Sequence, residues 1–200
     1  MDTKTLLTAS GAALTALIVG CTTTASVTTA STPREAAGLA PLSTEKKREI
    51  DEGYRGTLQR LYETTPGSRE LVGKAAGVLV FPRAISAGLG VGGEFGTGEL
   101  RMNNRIEGYY RTTSASIGWQ AGAQSRALVF LFMTPEALNR FRDSKGWSVG
   151  ADASVALLKI GANGEIDANF ARAPTIAFVM TNAGLMANLS LEGTKVTRIG

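Results

Sequence analysis

The sequence predicts an α+β domain: a curved antiparallel β-sheet or partial barrel with N-terminal helices and one helix inserted near 134–144. Three observations carry this reading. Apolar residues recur at helical spacing between residues 44 and 76. From Gly77 onward they alternate, or form short runs broken by turn signals, as strands do. Thr134-Pro135-Glu136 interrupts the strands as a helix start, with a cap, Pro at the first position and an acid in the first turn. Long runs of strands with segregated helices argue for α+β rather than alternating βα units.

The elements follow in order. Ser43 and Thr44 are candidate N-caps, with Glu45 in the first turn. Ile50, Tyr54, Leu58, Leu61 and Tyr62 then mark one helical stripe. Gly53 and Gly56 weaken that helix by about 1 kcal/mol each relative to Ala. Thr65-Pro66-Gly67 ends it, and Ser68 caps a second short helix through about Ala76. Gly77-Val78-Leu79-Val80-Phe81-Pro82 reads as a buried strand. Further strand segments lie near 87–101, 105–112, 114–124 and 125–133, with a break at Asn103-Asn104. Ala137, Leu138 and Phe141 give the inserted helix its apolar side. Strands resume near 147–160, 175–182, 184–191 and 194–199, and Asn163-Gly164 resembles a hairpin turn. Gly118-Trp119-Gln120-Ala121-Gly122-Ala123 echoes Gly146-Trp147-Ser148-Val149-Gly150-Ala151, as if both Trp residues open equivalent strands.

Composition narrows the chemistry. The chain has 200 residues, 44% hydrophobic and 19% charged, which is too apolar for a disordered protein. Lys and Arg number 21 against 17 acids, a formal charge of +4. There is no His, so no Ser-His-Asp triad, no Cys-His dyad, no His-ligated zinc and no imidazole base. A single Cys excludes a disulfide within the chain and a Cys-rich metal site. No cofactor or metal is expected. The basic residues are scattered, so no nucleic-acid partner is expected either.

The lone Cys closes a leader-like segment. Lys4 precedes an apolar stretch from Leu6 to Val19, too short to span a bilayer but of the length of a secretory core segment. Its end, Ile18-Val19-Gly20-Cys21, resembles the bacterial lipobox. That resemblance implies cleavage between Gly20 and Cys21 and acylation of Cys21. Thr22, rather than Asp, follows the Cys, which implies an outer-membrane anchor facing the periplasm. Residues 22–43 are rich in Thr, Ala, Ser and Pro and read as a tether with an r.m.s. span of roughly 25 Å. The expected organisation is a signal peptide over 1–20, a lipidated Cys and tether over 21–43, and one domain over 44–200.

Two features are candidate lipid contacts. Lys46, Lys47 and Arg48 form a basic cluster that is either a solvated helix face or a headgroup contact. In Gly88-Leu89-Gly90-Val91-Gly92-Gly93-Glu94-Phe95-Gly96-Thr97-Gly98, the glycines 88, 90, 92, 96 and 98 share one strand face. That stripe permits tight packing and sheet curvature, or close approach of a ligand through Gly88, Gly90 and Gly92. The letters GxGxxG occur here, but the following residues make a poor helix, and a dinucleotide site needs a helix N-terminus. Candidate enzyme constellations are weak. Asp143-Ser144-Lys145 reads as a helix-ending turn, and Glu94 and Asp152 could form a buried acid pair.

Over residues 68–199 the chain resembles the SYLF domain family of lipid- and actin-associated proteins, in its bacterial lipoprotein branch. The matching pieces are Leu71 with Lys74–Pro82, then Ala87-Gly88, Gly96-Thr97-Gly98, Gly122-Ala123-Gln124, Ala137-Leu138 with Phe141, Gly150-Ala151-Asp152 with Val155, and Gly184–Gly193. The family's Trp-Ser/Ala-x-Pro segment is replaced around Gly108-Tyr109-Tyr110. The resemblance implies a non-catalytic lipid-binding module whose partners are the membrane, through its acyl anchor, and phospholipid headgroups. The alternative is an envelope structural or protein-interaction lipoprotein.

Overall fold

The computed structural model describes residues 41–157, 172–181, 184–185 and 191–199. The leader, Gly20, Cys21 and the tether to residue 40 lie outside these residues, as does the Asn163-Gly164 turn.

Helix α1 runs Thr44–Thr64 and begins where Ser43 accepts a hydrogen bond from the Lys46 backbone N–H. The buried stripe is Ile50, Tyr54, Thr57 and Leu61. Gly53 has a positive role. A Cβ there would lie 2.6 Å from Cβ of Pro82, so the missing side chain lets α1 sit directly on the sheet. Helix α2 is short, Ser68–Lys74, and its N-cap is Gly67 in a left-handed conformation rather than Ser68. The Ser68 hydroxyl instead turns back to the Leu61 and Thr65 carbonyls, at 3.1 and 2.6 Å, and fixes the corner between the helices. The chain leaves α2 at Ala75, one residue short of the expected end, because Ala76 donates to the Phe132 carbonyl at the start of the sheet.

The expected separate strands from 77 to 133 are two long ones. Strand β1, Gly77–Met102, and β2, Arg105–Phe132, form one antiparallel hairpin turned by Asn103 and Asn104, both at positive φ. The register shifts between Phe81 and Ala84, Gly88 and Gly90, and Leu100 and Arg101. Near the middle shift, Gly88 faces Gly122 and Gly90 faces Gly118. Bulges and glycines bend a strand without ending it, which is why the sequence reads as several short segments.

The two ends of the hairpin recruit different strands. At the open end of the hairpin, the last residues of β2 pair with β5 (Thr175–Thr181), which pairs with the short β4 (Ala156–Leu157, parallel) and β6 (Gly184–Leu185). Near the turn, β2 pairs with β7 (Lys195–Arg198), which pairs with β3 (Trp147–Ser148). β1 folds back on itself: Cβ atoms on Gly96 and Gly98 would run into the backbone of the 80–84 segment. One core fills the fold-over with Leu79, Phe81, Leu100, Leu128, Phe130, Phe132 and Val196. A second, made by Val78, Val80, Val129, Leu131, Ile176 and Phe178, meets Tyr54, Leu61 and Leu71 of the helices.

Helix α3, Pro135–Asp143, is the expected insertion, with Thr134 capping the Ala137 N–H. It brings Phe141 against Phe132 and Trp147, with ring centroids 4.6 and 5.4 Å away. Trp147 is thus a core residue, 2% exposed. Trp119 lies inside β2 rather than opening a strand, so the two Trp segments are not structural equivalents. The architecture is the expected α+β fold: a strongly curled antiparallel sheet with N-terminal helices and one inserted helix.

Candidate functional site

Over residues 94–98 the hairpin alternates in burial. Glu94, Gly96 and Gly98 point inward and are buried, whereas Phe95 points outward and is 49% exposed. Register places Phe95, Thr113 and Lys195 in one cross-strand row and Thr97, Arg111 and Thr197 in the next, all on the outer face. α1 crosses part of this face. It is locked there by Arg101, whose Nε donates to Glu99 at 2.7 Å and whose Nη2 pairs with Asp51 of the helix. Arg101 also lies 4.3 Å from the Tyr54 ring centre. Glu99 is fully buried, and burial pushes its carboxyl above the usual range despite the adjacent guanidinium.

Beyond the first turns of α1 the face is open. A pocket of about 270 Å³ opens there, lined chiefly by Lys46, Ile50, Pro82, Arg83, Ile85 and Phe95. Ile85 is 41% exposed, so two large apolar side chains flank it in water. Cations surround them. Lys46 bonds Glu49 at 2.8 Å, and Arg111 lies 5.3 Å from the Phe95 ring centre. Arg83 completes the rim, and Glu49 is the one carboxylate in the pocket lining. Exposed apolar side chains ringed by cations fit an interface between hydrocarbon and anionic headgroups.

The sequence candidates are divided by this geometry. Lys46 lies at the patch; Lys47 lies on the opposite flank of α1, 5.4 Å from the Tyr109 ring centre, and Arg48 is exposed on the far side of α1 from Ile50. Gly88, Gly90 and Gly92 belong to the bend of β1, and Gly92 has the inward parity of Glu94, opposite to Phe95. Gly92 therefore does not share the outer face with Lys46. Phe95, Ile85, Arg83, Arg111 and Lys195 were not singled out by the sequence as site residues. Phe95 carried the one available signal, a large aromatic opposite the glycine stripe.

The candidate acid pair does not form. Glu94 pairs with Arg126 across the fold-over, whereas Asp152 is exposed and accepts from the Ser148 backbone N–H at 2.6 Å. The cause is parity and topology: Glu94 points into the bend, and Asp152 closes a local turn after β3. Burial raises the Glu94 carboxyl above its usual range, with Arg126 opposing. Ser144 donates to the Phe141 carbonyl at 2.7 Å and ends α3, so Asp143-Ser144-Lys145 is a helix terminus. The GxGxxG letters lie wholly within β1, with no helix N-terminus behind them.

No curated protein matches the chain. Residues 113–199, from the middle of β2 through the last strand, match the family model described as "Ysc84: Las17-binding protein actin regulator", the SYLF family that the sequence resembles.

Proposed function

We propose that this protein is a non-catalytic lipid-binding module, anchored through an acylated Cys21 to the periplasmic face of an outer membrane. The family is one of lipid-binding and actin-associated domains, which supports lipid as the ligand class. The observation that carries the reading is the exposed pair Ile85 and Phe95, set among Lys46, Arg83 and Arg111 at the N-terminal end of α1. The chain preceding Thr44 joins the domain at that end. The pocket is far smaller than a phospholipid and suits an acyl-chain segment or an inserted side-chain rim. The cations would meet phosphate groups, each adding about 1 kcal/mol near an anionic surface.

The test is flotation of residues 34–200 with vesicles of neutral and anionic phospholipid at low and high salt. The wild type should float with anionic vesicles, and Phe95→Ser with Ile85→Ser should stay at the bottom. Both positions are surface-exposed, so melting should change little, by about 0.5 kcal/mol or less each. Absence of flotation under every condition would turn the reading to an envelope protein-interaction module. Fatty-acid labelling that persists in full-length Cys21→Ser would remove the anchor.

A further inference from the structure

A second groove, on the other side of α1 from the Phe95 patch, lies where α1, α2 and the hairpin turn converge. It encloses about 540 Å³ and is lined by Tyr54, Arg55, Tyr62, Arg69, Arg101 and Asn104 among others. Three guanidiniums from three different elements enter it, and its lining contains no carboxylate. Arg101 is nine-tenths buried and already committed, to Glu99 and to Asp51. Arg55 is 67% exposed and shares Asp51 at 2.6 Å. Arg69 is different. It lies 4.2 Å from the Tyr62 ring centre and makes no ion pair among the described residues.

The charges decide what fits. Asp51 and Glu99 compensate two of the three cations, which leaves one positive charge at the groove. Glu63 is exposed, lies outside the lining and is engaged by Gln59 at 3.0 Å. A guanidinium stacked on a ring keeps its in-plane N–H donors, and their fork matches a carboxylate. Two such carboxylate pairings already exist in this cluster, through Asp51 and Glu99. One spare charge matches a monoanion, and the groove has the size of a small-molecule site.

We propose that this groove binds a small ligand through its carboxylate, with Arg69 as the principal fork, Arg55 beside it and the Asn104 amide as a neutral contact. The site is separate from the lipid face and does not depend on that reading.

The test is calorimetric titration of the full chain with three probes: N-acetylalanine, its uncharged amide and inorganic phosphate. The acid should bind and the amide should not. Arg69→Gln should weaken the acid by about tenfold or more, and Arg69→Lys should restore only part, because charge without the fork is not enough. Phe95→Ser should bind the acid normally, which separates this site from the lipid patch. Equal binding of acid and amide, an unchanged Arg69→Gln, or phosphate bound more tightly than the acid would each overturn the proposal. Should Arg69→Gln fail to fold, Arg55→Gln serves as the second variant and should weaken the acid severalfold; an unchanged affinity would overturn it.

Discussion

The two ends of the β1–β2 hairpin are made by the same pair of strands, yet they live in different surroundings. Near residues 78–81 and 127–132 both faces are buried: consecutive residues of each strand are 7% exposed or less. One face meets the fold-over core, and the other meets α1 and α2. The sequence there is continuously apolar, as a doubly covered strand requires. Near residues 94–98 and 110–113 burial alternates, because α1 covers only part of the outer face. The same strands therefore supply a scaffold at one end and an open surface at the other. What separates them is a bend at which glycines face glycines. The candidate lipid face exists because the second end lacks a covering layer.

The largest expected effect breaks this comparison on its inner side. A Cβ on Gly98 would lie 2.7 Å from the Phe81 ring and closer still to the Val80 carbonyl. A Cβ on Gly93 would meet nothing nearer than the Ser114 carbonyl at 3.7 Å. Gly98→Ala should therefore cost about 1–3 kcal/mol in urea denaturation, whereas Gly93→Ala should change stability by about 0.5 kcal/mol or less. Equal effects at the two positions would mean that β1 does not fold back on itself as described.

Parity made much of this legible in the sequence. The glycine stripe and the opposing Phe95 follow from a period of two, and Thr134-Pro135 marks the inserted helix without ambiguity. The hairpin's continuity was not legible. Bulges and glycines look like strand ends when read one residue at a time, and only the cross-strand register shows that pairing continues through them. The site was half legible for a similar reason. Lys46 could be named within a basic cluster, but its neighbours Arg83 and Phe95 are set by how α1 seats on the sheet. That seating depends on Gly53 against Pro82 and on Asp51 with Arg101, contacts between residues far apart in the chain.

A smaller effect probes the buried acid that bridges the fold-over. Burial holds the Glu94 carboxyl above 4.5, its ordinary value, so the folded state binds its proton more tightly than the unfolded chain does. Stability from this group is greatest below 4.5 and falls as pH rises through the raised value. Burial raises Glu99 in the same direction, so the wild-type curve alone cannot isolate Glu94. Glu94→Gln has no such proton to lose. Its stability relative to wild type should improve as pH rises from 4.5 through the raised value and then level off, whatever the offset from losing the Arg126 pair. A relative stability that worsens over this range would show that Arg126 outweighs burial and holds the acid ionised.

The smallest expected effect sharpens the comparison on its outer side, by asking which flank of α1 meets the membrane. Ile50 points to the sheet. At about 100° per residue, Lys46 lies roughly 40° from Ile50 and Arg48 roughly 160°. Lys46 accordingly lines the pocket with Ile85 and Phe95, and Arg48 projects away from the sheet. Both substitutions remove one charge and leave the same net charge, so any difference between them reports geometry. Lys46→Gln should weaken flotation with anionic vesicles by about 1 kcal/mol, or about fivefold, at low salt. Arg48→Gln should change it by less than about twofold, because charge displaced from the contact plane is screened within roughly 10 Å. Both differences should shrink at high salt while the contribution of Phe95 persists. Equal losses would mean that the domain senses the bilayer through overall charge, and a larger loss for Arg48 would put the opposite flank of α1 against the membrane.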